Sequence, residues 1–172
     1  MEVFRKKLNQ TWKATSSNRL NLLLWRVMSR KLPTRETTNK WGRGSPMCPR
    51  CHAKVESVRH ALWDCLAVQP WWRSCSTLLE ACGVTERIGW KQVLLGIKGR
   101  MNPEFHKLWQ FIRATLISNI WYDRNQIAHQ KAGLNIDSSK VKGWVKEACN
   151  LAREKKTLRI QADILLKRIS KV

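Results

Sequence analysis

Cys48-Pro49-Arg50-Cys51 places two thiols in one tight turn; His60 follows after eight residues and Cys65 after four more, a C-x2-C-x8-H-x4-C pattern. Two thiolates so close form half of a tetrahedron, the geometry that zinc prefers with sulfur and nitrogen donors. A helix beginning at Glu56 or Ser57 presents His60, with Cys65 just past the next turn. Four protein donors close the shell and leave no position for water, so the pattern predicts one structural Zn2+ rather than a catalytic one. His52 is the rival nitrogen donor, but coordination through side chains adjacent in sequence strains the turn, and His60 is preferred. The plainer reading, unrelated thiols and an ordinary surface histidine, leaves the spacing unexplained. Cys75, Cys82 and Cys149 fall on apolar helix faces and read as small buried hydrophobes.

Around this cluster the chain is strongly basic. Its 172 residues carry 33 Lys and Arg against 12 Asp and Glu, a formal net charge of +21. Such an excess seeks a polyanion. Residues 1–50 hold twelve bases and two acids, residues 51–100 seven and four, residues 101–172 fourteen and six. The bases nearest the cluster, Arg26, Arg30, Lys31, Arg35, Lys40, Arg43 and Arg50, form the candidate nucleic-acid surface, pairing with phosphates. The competing reading is a solvated face that confers solubility. Ten Trp residues accompany the charge. Trp41 and Trp63 bracket the cluster and could stack on bases, though packing against the zinc turn is preferred; Trp25 and Trp121, on apolar stripes, are assigned to the core.

Catalytic constellations are missing from the sequence. Two-metal polymerases and nucleases need converging carboxylates, and the twelve acids here are scattered. Tyr122-Asp123 is followed by Arg124 where a polymerase would carry a second Asp. There is no phosphate-binding glycine loop, dinucleotide turn or nucleophile signature. The chain is therefore expected not to be an enzyme. Met1 to Gln10 is charged, unlike a secretory signal, and no run of about 18 apolar residues occurs. These features predict an intracellular, nuclear protein with no membrane partner.

The elements that must position the cluster read as helices, and the expected fold class is mostly α. Leu20, Leu23, Leu24, Val27 and Met28 recur at three- and four-residue intervals after Ser17, in a helix that Pro33 should end. Thr34 caps a short helix stopped at Gly42, and Pro70 starts another that runs to Gly83. Pro103 opens the longest apolar-periodic run, ending at Gly133. From Asp137 or Ser138 a heptad seam runs through Val141, Trp144, Ala148, Leu151, Lys155, Leu158, Ala162, Leu165 and Ile169. A short loop between the last two long helices favours an antiparallel hairpin within a monomer over a dimer through 141–169. Two regions follow: a zinc-binding unit over 1–100 with its knuckle at 48–65, and a helical hairpin over 101–172 packed on it, in one domain or two.

Several of these residues together resemble a known family. Leu24-Trp25-Arg26-Val27, Lys31-Leu32-Pro33-Thr34-Arg35, the Cys-Pro-x-Cys, Glu56, His60, Cys65 and a following Trp71 or Trp72 resemble the reverse transcriptase zinc-binding domain. That domain lies downstream of the polymerase in non-LTR, LINE-type retrotransposon proteins. Ile120-Trp121-Tyr122-Asp123-Arg124-Asn125, with His129, is similar to an Ile-Trp-x-x-Arg-Asn segment that often follows the knuckle there. The resemblance spans about residues 12–130. It implies an accessory that holds RNA or target DNA during reverse transcription, in company with a reverse transcriptase core. The chain opens at its own Met and ends without ribonuclease H sequence, which reads as the tail of such an element or a host protein derived from one. The alternative function is a helical module that docks on a polymerase or self-associates through the seam.

Overall fold

Three of the expected helix starts are built as their sequences dictate. The Ser17 side chain accepts from the Leu20 N–H and opens α1, Asn18–Met28; Thr34 accepts from the Thr37 N–H and opens α2, Arg35–Asn39. Pro70 occupies the first turn of α3, Gln69–Ala81, where its missing N–H costs nothing. The computed structural model describes residues 14–134 and 137–172; the expectations placed on Met1 to Gln10 fall outside it. Among the described residues every regular element is helical apart from one antiparallel bridge between Met47 and Val55. No described helix is long and apolar enough to cross a membrane.

After the short α4, Trp90–Leu94, Asn102 caps α5, Pro103–Ala128. Residues 111–117 of α5 are buried on every side. The stretch is apolar except for Thr115 and Arg113, whose guanidinium donates to the Val93 carbonyl at 2.8 Å, and α5 packs against α1, the knuckle and the C-terminal helices. Asp137 caps α6, Ser138–Arg153. Trp144 on α6 stacks on Trp71 of α3, with ring centroids 4.9 Å apart and planes 20° from parallel. One core cluster includes residues from both sides of the expected boundary at 100.

Two expectations about helix ends are corrected. Pro33 does not end α1. The helix stops at Met28, Arg30 turns left-handed at φ 55°, and the Lys31 N–H reaches back to the Arg26 carbonyl at 2.8 Å. This is a closed C-terminal cap built without glycine. Nor is the heptad seam one helix. It breaks at Glu154 and Lys155, passes through a 3-10 turn at Lys156–Leu158, and resumes as α7, Arg159–Ile169. The break lets α7 fold onto α6, so Ala152, Leu158, Ala162, Leu165 and Ile169 all enter the same core. Lys155, the one charge in the seam, is half-buried at the break, with its ammonium 5.3 Å from the Phe111 ring centre.

Candidate metal centre and its surroundings

The segment before the cluster is held as a small loop. Cys48 N–H donates to the Lys54 carbonyl at 2.8 Å, Glu56 N–H to that of Pro46 at 2.9 Å, and His52 N–H to that of Cys48 at 2.9 Å. His52 adopts a left-handed φ of 53° and points to solvent, whereas His60 is buried. The choice of His60 over its rival is thus what the fold makes. Ser57 caps the following turn by accepting from the His60 N–H. That turn widens into a single π-helical turn, His60–Asp64, in which the Cys65 N–H bonds the His60 carbonyl at 3.0 Å. On an α-helix, residues five apart point about 140° away from each other; closing the turn at five residues brings His60 and Cys65 round to the same side.

The donor atoms of Cys48, Cys51, His60 and Cys65 all lie within 4.8 Å of one another. Cys48 and Cys65 sulfurs are 3.9 Å apart, and Cys51 sulfur is 3.4 Å from His60 Nε2. A tetrahedral zinc with ordinary bond lengths sets sulfur pairs about 3.8 Å apart and sulfur to nitrogen about 3.6 Å. The donor set therefore fits one structural zinc, in both chemistry and size. Hydrogen bonding from the Cys65 thiol, aided by the Cys51 and Arg50 N–H groups, holds the Cys48 thiol down at about 4, and Cys65 is pushed up in turn. The thiolate is the form in which these sulfurs bind metal.

Two buried ion pairs tie this loop to α5. Arg50 lies between the two cysteines of the turn and faces inward. Its side chain is 2% exposed, paired with Asp123 at 2.9 Å, and it donates to the carbonyls of Ala61 and Ile120. Asp123 also accepts from the Leu134 N–H at 2.7 Å. One residue along, Arg124 grips Glu56 with two hydrogen bonds, Nε to Oε1 at 2.8 Å and Nη2 to Oε2 at 2.5 Å. Glu56 is fully buried and also accepts from the Arg35 N–H at 2.7 Å, so one carboxylate caps α2 and holds α5. Spacing alone did not single out Asp123, Arg124 and Glu56 as site residues; the available signal was the Arg-Asn segment and the Glu56 of the resemblance.

Of the seven proposed phosphate contacts, Arg50 is corrected: its guanidinium is buried and its N–H groups are committed to Asp123 and two carbonyls inside the protein. Arg26, Arg30, Lys31, Lys40 and Arg43 are exposed and Arg35 is half-buried. Lys31 sits 5.0 Å over the Trp25 ring. Trp25 is accordingly half-buried under that cation and not in the core, while Trp121 packs against the core with Arg124 over its face. Trp63 is half-buried beside Trp72, 5.8 Å between ring centres. Trp41, for which packing against the zinc turn was preferred, is 66% exposed.

The remaining thiols are buried hydrophobes as expected. Burial pushes Cys75 and Cys149 up to about 12. Because an unfolded thiol ionises near 8.5, stability is intact below that pH and falls as pH rises toward 12. Urea midpoints should decline steadily from pH 9 to pH 11, and Cys75→Ala should flatten part of that decline. A profile unchanged by the substitution would refute it.

These features define a helical protein whose basic loop region is organised by a closed, structural metal centre. Residues 2–72 match the family described as zinc-binding in reverse transcriptase, and the match includes all four donors of the centre. No curated protein and no solved structure matches the chain significantly.

Proposed function

We propose that the zinc-loaded chain is a non-catalytic accessory that holds nucleic acid beside a reverse transcriptase core inside the cell. The observation that carries this reading is a cleft of about 370 Å³ next to the metal loop, lined by Arg30, Lys40 and Arg59 with the hydroxyl-bearing Thr37 and Ser57 and one acid, Glu36. Arg26, Lys31 and Arg43 stand exposed beside these positions in the chain. Cations converging on a concave surface focus their field on a polyanion. Asp123, the acid of the Tyr-Asp pair, is committed to Arg50 and is not free for metal chemistry. The buried positions of the seam on α6 and α7, where docking on a polymerase or self-association would occur, face the chain's own core.

Fluorescence anisotropy of the zinc-loaded protein against labelled oligonucleotides, at several salt concentrations, tests the reading. With Arg50 withdrawn, roughly five phosphates are neutralised, so the log-log salt slope on duplex should be about −4 to −5, and shallower on single strands. Arg30→Ala with Lys40→Ala should reduce the slope by about two units. A flat salt dependence refutes the proposal.

A further inference from the structure

Ten Trp residues occur, and all but Trp12 lie within the described residues. Every other described Trp packs against a ring, a cation or the core. Trp41 alone among them has its indole set out in water, 66% exposed, with no ring or cation neighbour. Single exposed apolar residues are common on protein surfaces. What distinguishes this one is its setting.

Trp41 sits in a loop held from both sides. Its N–H bonds the Thr38 carbonyl at 3.0 Å, Arg43 N–H bonds the same carbonyl at 3.2 Å, and the Asn39 side-chain amide donates to the Gly44 carbonyl at 2.7 Å. Gly42 and Gly44 take left-handed φ values of 70° and 73°, which side-chain-bearing residues adopt reluctantly, so the loop closes tightly enough to fix the indole's base. Lys40 precedes Trp41 and Arg43 follows it two positions on; both are exposed, and Lys40 also lines the basic cleft with Arg30 and Arg59. The loop therefore presents an exposed indole on a hydrogen-bonded backbone, with exposed cations on either side of it in sequence.

We propose that Trp41 is a stacking platform for an unpaired base, and that this face takes single-stranded nucleic acid in preference to duplex. The inference rests on the nucleic-acid reading above. Cations alone bind any phosphate chain, paired or not. An aromatic face adds affinity only where a base can leave its own stack, and such stacking tolerates any sequence because every base has a flat face. Lys40 and Arg43 hold the phosphates on either side of the stacked base, while Arg30 and Arg59 carry the strand into the cleft. Because Trp41 contributes nothing to the core, its removal spares the fold.

The test compares the zinc-loaded full chain, Trp41→Ala and Trp41→Phe against three labelled probes of equal length: a mixed-sequence single-stranded RNA, the corresponding single-stranded DNA, and a blunt DNA duplex. The wild type should prefer the single strands. Trp41→Ala should weaken single-strand binding by about 5- to 150-fold, the range for one stacked base, with the salt slope unchanged and duplex affinity within about twofold. Trp41→Phe, which keeps a ring, should recover most of the loss. A larger loss on RNA than on DNA would name RNA as the strand taken, and the reverse would name DNA. Trp41→Ala binding single strands as tightly as wild type, with salt-steep binding intact, overturns the stacking platform and leaves the basic face standing. Absence of salt-dependent binding to all three probes overturns the nucleic-acid reading itself.

Discussion

Replacing Cys48 by Ser should abolish stoichiometric zinc binding and unravel the metal loop while the helices remain folded. Wild-type protein should carry one zinc per chain by atomic emission, and the variant essentially none. The scale of the effect follows from what else joins the four donors. Structural zinc contributes on the order of 10–16 kcal/mol in small finger peptides, whereas apart from it the loop has one β-bridge, a few turn hydrogen bonds and its two ion pairs to α5. Hydrogen exchange should show protection lost over residues 42–70 and retained in α5 and α6, which pack chiefly on each other and on α1, α3 and α7. Chelation of the wild type should reproduce the pattern and free three thiols, Cys48, Cys51 and Cys65, for labelling; Cys75, Cys82 and Cys149 stay shielded. Full zinc content in Cys48→Ser would overturn the ligand assignment.

The second large effect concerns Glu56. Glu56→Ala leaves the Arg124 guanidinium, its side chain only 7% exposed, without its carboxylate, and leaves the first turn of α2 without the acceptor for Arg35. Stranding a buried charge in this way costs about 3–5 kcal/mol, or roughly 6–20 °C in Tm for a chain of this size. Glu56→Gln, which keeps the shape and an acceptor oxygen, should cost less. Glu56→Leu with Arg124→Met should recover much of the loss, because removing both charges together avoids the orphan. Urea unfolding of the wild type, Glu56→Leu, Arg124→Met and the double variant, read as a double-mutant cycle, measures the coupling. A Glu56→Ala loss below about 1 kcal/mol would show that water, not Arg124, satisfies this carboxylate.

The sequence revealed the parts of this molecule whose determinants are local. All four donors of the centre were legible because metal chemistry fixes both residue type and spacing. So were the helix starts at Ser17, Thr34, Pro70, Pro103 and Asp137, because a cap is settled within three or four residues. What could not be read depends on partners far along the chain. Arg50 looks like its basic neighbours until Asp123, 73 positions away, arrives beside it. The break at Lys155 carries no Gly or Pro to announce it, and the heptad spacing continues across it; folding α7 back onto α6 is decided by the core. Trp41 was misread because composition favours packed tryptophans, and its exposure follows from a loop geometry that only the assembled α2 and metal loop define.

The paired ties to α5 also settle a mechanical question. Asp123 and Arg124 are adjacent, so their side chains leave the helix about 100° apart. A single ion pair would let the metal loop swivel about the bond; two in divergent directions remove that freedom, as two bolts fix a bracket that one would leave turning. Whatever rests on the loop is therefore held at one angle to the helical body. A strand on that face would be aimed and not merely tethered, with its course relative to α5–α7 set by the fold.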